Sequence, residues 1–256
     1  MNRFRAFAAL LTVVALAGCD KNAVQEIAGP PAGSRVKFFN FGVNAPSVNF
    51  YANSTKMTAV SSTTGIESTL GVAYGSVGSG GFYGAIEPGT YDFTGKIAAT
   101  TDKDLAIATI NGTVADGKAY SVYLSGIYNT TTKTSDGFLV EDNFPATFDY
   151  TQAYVRFVHA ISNANPLTLD ATNTTTAAVV TIGTEVAYKG ATAFVAVPAG
   201  VYNLTTRYSG AGTNAPTRTG VSFVAGRVYT IGARGDITVV STTLTNRPFL
   251  DNTANR

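Results

Sequence analysis

Cysteine, histidine, tryptophan and charge are all scarce in this sequence of 256 residues. It has one cysteine, one histidine and no tryptophan, and only 13% of its residues are charged. One thiol cannot form a disulfide within the chain, so stability must come from packing. Zinc needs several His or Cys ligands, which excludes an ordinary zinc site. Clusters of basic residues are also missing, and this argues against nucleic acid as a partner.

The N-terminus contains the one long apolar run, at residues 6–16. Eleven helical residues would cross only about half of a hydrocarbon core that is about 30 Å thick. The run follows Arg3 and Arg5 and precedes the tetrad L-A-G-C, so residues 1–18 are predicted to be a cleaved signal peptide. The tetrad resembles the lipobox of bacterial lipoproteins, which implies lipidation of Cys19. The alternative is an ordinary secretory signal beside a free thiol.

Lipidation of Cys19 would anchor the protein to a membrane of the bacterial cell envelope, inner or outer, with its domains in the periplasm or at the cell surface. Loss of residues 1–18 removes two basic residues and leaves 16 basic against 16 acidic ones, so the mature chain is formally neutral. Residues 19–34 lack an apolar period and contain Gly29-Pro30-Pro31, which predicts a short lipidated tether.

The rest of the chain shows the alternation that is typical of β-strands. In the segment after the tether, Val36 and Phe38 fall on one side of a predicted strand, while Lys37 and Phe39 fall on the other. Gly, Asn and Pro interrupt such segments at short intervals. The sequence therefore predicts an all-β fold.

Four blocks of sequence recur in the same order. The paired blocks are 35–46 with 154–166, 72–74 with 186–188, 87–93 with 198–204, and 114–126 with 224–235. This duplication predicts two domains, at residues 35–150 and 151–256. Their size and turn spacing are typical of immunoglobulin-like β-sandwiches, with a barrel as the alternative. A glycine turn precedes Tyr91 and Tyr202, so we expect each hydroxyl to find a backbone acceptor, as in a tyrosine corner.

These blocks resemble the DUF4397 domains, a bacterial family of unknown function. The strongest pieces are VRFVHAISNANP at 155–166, PAGVYNL at 198–204 and FVAGRVYTIGARG at 223–235. The first copy departs from the pattern, because Asn40 stands where the family tends to have histidine. The resemblance implies tandem domains that are secreted or lipid-anchored, and it supplies no catalytic residues.

His159 is the only candidate for a histidine general base. No nucleophile motif such as G-x-S-x-G accompanies it, and Asn40 at the equivalent position cannot act as a base. We therefore predict that His159 has a structural role, joining its strand to the following loop, and that the chain has no catalytic residues.

Other candidate sites depart from the motifs that define them. Asp102 and Asp104, or residues 135–137 with 141–143, could supply calcium ligands, but neither set matches an EF-hand loop. We expect residues 135–137 to form a turn into a strand at residues 138–140. Gly78–Gly81 lacks the Lys and the helix of a phosphate-binding loop, so a flexible hairpin loop is expected. The sequence predicts no metal and no cofactor.

Function is the least determined property. We expect a non-catalytic binding module whose loops contact a glycan or a protein, since loops on a β scaffold are common recognition surfaces. The alternatives are a structural spacer or assembly component of the envelope, and a hydrolase that uses loop carboxylates.

Overall fold

The structure, a computed structural model, describes residues 33–58 and 70–255. In these stretches the regular elements are β-strands and one short 3₁₀ turn, which confirms the all-β prediction. Within the same stretches no helix is long and apolar enough to cross a membrane. The predicted signal peptide, Cys19 and most of the predicted tether lie outside the described residues.

The first half of the described chain forms two sheets. Its strands are β1 (Ser34–Asn40), β2 (Val48–Ala52), β3 (Thr55–Lys56), β4 (Ser76–Val77), β5 (Gly84–Ile86), β6 (Gly89–Ile97), β7 (Ala106–Val114), β8 (Ala119–Asn129) and β9 (Thr134–Glu141). One sheet has the order β4-β1-β8-β9, with β5 also paired to β1. The other has the order β3-β2-β6-β7.

The second half repeats this plan. Its strands are β10 (Gln152–His159), β11 (Leu167–Asn173), β12 (Val179–Thr181), β13 (Val195–Pro198), β14 (Gly200–Tyr208), β15 (Thr217–Phe223), β16 (Val228–Arg234) and β17 (Phe249–Ala254). The sheet orders are β13-β10-β16-β17 and β12-β11-β14-β15. The order β12-β11-β14-β15 matches β3-β2-β6-β7, and β10-β16-β17 matches β1-β8-β9. β13 corresponds to β5, because each pairs with the start of the first strand of its domain.

Strand pairing repeats at the level of single residues. β1 pairs with β8 in parallel, with Val36 opposite Tyr120, and β10 pairs with β16 in parallel, with Val155 opposite Tyr229. The duplicated sequence blocks thus correspond to two tandem β-sandwich domains. The finer immunoglobulin-like assignment stays a prediction.

Each domain has an apolar core between its two sheets. Val36 and Phe38 of β1 face Phe50 and Phe93 of the opposite sheet, and the rings of Phe38 and Phe50 stack at 5.1 Å. Phe157 has the corresponding position in the second core. The predicted division of β1 into two sides is therefore confirmed, with Val36 and Phe38 on one side and Phe39 on the other.

The two tyrosines after the glycine turns bond to the backbone as predicted. The hydroxyl of Tyr91 donates to the carbonyl of Glu87 at 2.9 Å, and that of Tyr202 donates to the carbonyl of Pro198 at 2.7 Å. In both domains the acceptor carbonyl belongs to the residue four positions before the tyrosine. This bond holds the start of the strand against the turn that precedes it.

Two local predictions were wrong. Residues 135–137 lie inside β9 and do not form a turn, because β8 is long enough to supply partners, with Gly137 opposite Leu124. Gly78–Gly81 forms the 3₁₀ turn between β4 and β5 and is not a hairpin loop. A hairpin loop would connect two strands that pair with each other. β4 and β5 instead both pair with β1, antiparallel to it.

Candidate functional site

A third apolar layer joins the two domains, and we call it the domain interface. Its buried residues are Phe39, Phe41, Tyr123 and Phe138 of the first domain and Val158 and Ala160 of the second. The ring of Tyr123 stacks on Phe39 at 4.5 Å and on Phe138 at 4.9 Å. β1, β8 and β10 are therefore buried on both faces, one against their own core and one against the other domain.

The domain interface also contains a buried ion pair between Arg156 of β10 and Asp142, which follows β9. The side chains are 1% and 0% exposed. Arg156 also donates to the hydroxyl of Thr230 at 2.9 Å, while Asp142 accepts from Ser121 at 2.8 Å and from Tyr83 at 2.6 Å. Burial opposes the charge of Arg156, but the carboxylate beside it keeps the pKa of the guanidinium above its usual value.

Lys37 of β1 is buried in the same interface. Its Nζ donates to the carbonyl of Ala254 at 3.3 Å and to Oδ1 of Asn255 at 3.1 Å. The ammonium also lies 4.3 Å from the ring centroid of Tyr83. Burial lowers the pKa of Lys37 to about 8, although the negative charge of Asp142 opposes that shift.

These cations occupy equivalent positions in the two domains, since Lys37 follows Val36 as Arg156 follows its paired Val155. Each one reaches across to the residue after the last strand of the other domain. Lys37 contacts Asn255, and Arg156 contacts Asp142. Such reciprocity is the rule at two-fold symmetric dimer interfaces, and here it occurs within one chain.

His159 is fully buried at the end of β10. The backbone N–H of Ile161 donates to its Nδ1 at 3.2 Å, so the ring proton sits on Nε2, which is 3.1 Å from the carbonyl of Asn165. Burial lowers the pKa of the imidazole. Asn40 at the end of β1 makes a similar bond, to the carbonyl of Val72 at 2.8 Å. In both domains this side chain connects a strand to a nearby loop.

Of the carboxylates considered for calcium, Asp102, Asp136 and Asp142 are engaged in ion pairs. Asp102 contacts Lys133 at 2.6 Å, and Asp136 contacts Lys189 at 2.8 Å. Asp142 is buried against the arginine of the domain interface. Across residues 33–58 and 70–255 no group of three or more His, Cys, Asp or Glu side chains has a metal-binding arrangement.

A small concavity of about 210 Å³ forms where the domains meet, and we call it the arginine pocket. It is lined by Tyr74 of the first domain and by Arg234, Thr245, Arg247 and Phe249 of the second. The guanidinium of Arg234 lies 4.7 Å from the ring centroid of Tyr74 and 5.2 Å from that of Phe249. Arg247 also lies 5.2 Å from the Phe249 ring.

Positive charge exceeds negative charge around this pocket. A third guanidinium, from Arg218 of β15, lies 5.4 Å from the ring centroid of Phe249. Asp251 pairs with Arg234, and Asp236 accepts hydrogen bonds from Asn163 and Thr238. Three arginines therefore face two carboxylates that already have partners.

One residue of the arginine pocket, Arg247, has unused hydrogen-bonding capacity. Nη1 of Arg247 donates to the carbonyl of Leu244 at 3.0 Å, and its other N–H groups make no hydrogen bond within the described part of the chain. The hydroxyl of Tyr74 is buried beside Arg234, so the ring of Tyr74, and not its hydroxyl, faces the pocket. Chemically, the pocket is suited to accept an oxygen-rich, negatively charged group.

A comparison with known families identifies the family of this chain. A family described as "Domain of unknown function (DUF4397)" matches residues 34–170 and, a second time, residues 153–256. The chain belongs to the DUF4397 family. No curated protein matches it. The two DUF4397 matches account for the duplicated blocks and for the repeated sheet order.

Sequence reasoning missed both polar features of the DUF4397 pair. A signal for the ion pair was present, because Lys37 and Arg156 are charged residues at the same place in two short apolar runs, VKFF and VRFV. The arginine pocket had no such signal, since Tyr74 and Arg247 are far apart in sequence and belong to different domains.

Proposed function

We propose that this DUF4397 protein is a lipid-anchored, non-catalytic binding protein of the bacterial cell envelope. The observation that carries the proposal is the arginine pocket, because Tyr74 of one domain and Arg234 and Arg247 of the other form its wall. Ligand sites occur preferentially where domains meet. Donors that the fold itself does not use are what a binding site requires.

The domain interface supports this role because it holds the two walls of the pocket in a fixed relation. Phe41 of the interface lies 6.0 Å from the guanidinium of Arg234, which connects the apolar layer directly to the pocket. A site that is formed before binding loses less conformational freedom on binding.

A non-catalytic role is supported by the bonds of His159. Its Nδ1 and Nε2 both contact backbone groups, at Ile161 and Asn165. A general base needs a free nitrogen within hydrogen-bonding distance of the substrate proton. The alternative of a hydrolase that uses carboxylates gains no such support from Asp102 and Asp136, which are paired with lysines.

The lipid anchor is tested at Cys19. We expect the wild-type protein to fractionate with membranes and to incorporate a labelled fatty acid, and Cys19→Ala to do neither. If Cys19→Ala stayed with membranes and no lipid label entered the wild type, the anchoring proposal would be wrong.

Binding is tested with the full chain in detergent micelles on an array of envelope oligosaccharides and peptides. We expect one ligand class to be retained by the wild type and lost in Arg247→Ala. The matched control is Arg207→Ala, because the Arg207 side chain is exposed and pairs with Asp170, at 2.7 Å, away from the residues that line the pocket. Retention of no class, or equal retention by Arg247→Ala, would favour the second candidate, a structural spacer. The reciprocal contacts of Lys37 and Arg156 are the observation that supports a spacer.

A further inference from the structure

The arginine pocket also indicates which ligand chemistry it accepts. We infer that it binds the carboxylate of an acidic sugar, with Arg247 as the principal contact. This inference rests on the proposed binding function and adds the ligand class to it.

The charge around the pocket favours an anion. The mature chain is formally neutral, yet Arg218, Arg234 and Arg247 surround the ring of Phe249. Asp251 already neutralises Arg234. An entering anion therefore meets unbalanced positive charge, in a partly desolvated place where Coulomb attraction is stronger than in bulk water.

The free donors favour a carboxylate. A guanidinium offers parallel N–H groups that match the two oxygens of a carboxylate. Arg247 uses only Nη1, on the carbonyl of Leu244, so its remaining N–H groups can donate to both oxygens. Tyr74 lines the wall formed by the first domain, and the guanidinium of Arg234 lies 4.7 Å from its ring centroid.

The size and lining favour a single sugar ring. A volume of about 210 Å³ is smaller than the roughly 300–1,000 Å³ of sites for drug-sized molecules, so the concavity itself suits one small unit. The rings of Tyr74 and Phe249 offer apolar surface to the C–H groups of a sugar, and the Thr245 hydroxyl offers a neutral hydrogen bond.

The test is a saturation-transfer NMR titration of the full chain in detergent micelles. Glucuronate should bind saturably, whereas glucose, its neutral counterpart, should give no saturable signal. Absence of glucuronate binding would overturn the inference. Tighter binding of inorganic phosphate, or binding of N-acetylglycine at least as tight as that of glucuronate, would also overturn it, because the site would then recognise a phosphate or a peptide end.

Variants assign the contact to Arg247. We expect Arg247→Ala to weaken glucuronate binding at least tenfold and Arg247→Lys to weaken it severalfold, because lysine keeps the charge and loses the paired donors. Phe249→Leu should weaken binding as well, and Arg207→Ala should leave it unchanged. Thermal melting checks that each variant is folded. Wild-type affinity in folded Arg247→Ala would refute the assignment.

This experiment separates the inference from the proposed function. If the array retains a neutral ligand in an Arg247-dependent manner while glucuronate fails to bind, the acidic-sugar inference is wrong and the binding function stands. If neither assay detects binding, the acidic-sugar inference and the proposed binding function are both wrong.

Discussion

Arg156 of the second domain forms a fully buried ion pair with Asp142 of the first. The pair lies beside the apolar layer that joins the two sandwiches and beside the polar contacts of Lys37 with Ala254 and Asn255. Buried charges are strongly destabilising once one partner is lost, because the other remains desolvated without compensation. The stability of the domain interface therefore depends on this contact as well as on the aromatic stack around Tyr123.

The first prediction concerns that pair. Arg156→Met leaves the Asp142 carboxylate buried and should lower the free energy of unfolding by about 3–5 kcal/mol in urea denaturation. Lys118→Ala is the control, because its pair with Glu141 is exposed and should contribute less than about 1 kcal/mol. Combining Arg156→Met with Asp142→Leu should recover part of the loss. If Arg156→Met and Lys118→Ala lowered the free energy of unfolding equally, the prediction would be contradicted.

The second prediction concerns Gly232, which lies on the interface face of β16. A Cβ atom there would lie 2.7 Å from the ring of the buried Phe41. Gly232→Ala should therefore destabilise the protein by about 1–3 kcal/mol through overpacking. Gly210→Ala is the control, since a Cβ atom there meets nothing within 4 Å. Phe41→Leu in the Gly232→Ala background should restore stability, and a lack of rescue would place the cost elsewhere.

The third prediction concerns alkaline pH. Burial lowers the pKa of Lys37 to about 8 in the folded state, whereas an unfolded lysine has a pKa near 10.5. Between these values the unfolded chain binds more protons, so stability should rise with pH from about 8 to about 10. Above about 10 the rise should reverse, because burial raises the pKa of Tyr83 and Tyr123 and those tyrosines ionise more readily when unfolded.

Lys37→Met tests this assignment by urea denaturation at a series of pH values. The variant should lose the rise between pH 8 and 10, whose slope is at most about 1.4 kcal/mol per pH unit for one group. Lys118→Met, a change at an exposed lysine, should keep it. A slope that persists in Lys37→Met would show that another group is responsible.

The fourth prediction concerns mildly acidic pH. Burial lowers the pKa of His159, so the unfolded chain takes up a proton more readily near pH 6.5 and stability should fall as the pH drops from 7 to 5.5. His159→Asn copies the residue of the first domain, Asn40, and should remove this slope. Because the chain has one histidine, thermal melting at several pH values can assign the effect. If the stability of His159→Asn fell between pH 7 and 5.5 as steeply as that of the wild type, the assignment to His159 would be contradicted.

Much of the fold followed from the sequence, because its signals are local or repeated. The alternation around Val36 and Phe38 predicted which residues share a side of β1, and the repeated glycine turns predicted the bonds of Tyr91 and Tyr202. The wrong predictions at Gly78–Gly81 and at residues 135–137 share a cause. Whether a short glycine-containing segment turns or pairs depends on the neighbouring strand, here β1 or β8, and composition does not reveal that neighbour.

The sequence by itself determined the all-β class, the duplication and the resemblance to DUF4397 domains, since these depend on residue period and on order along the chain. Only the tertiary structure decided what the second face of β1 contacts. That face could have met solvent, and it packs instead against the other domain, where Lys37 and Arg156 find their partners. The arginine pocket arose in the same way, because the meeting of two domains places Tyr74 beside Arg234, 160 residues later in the chain.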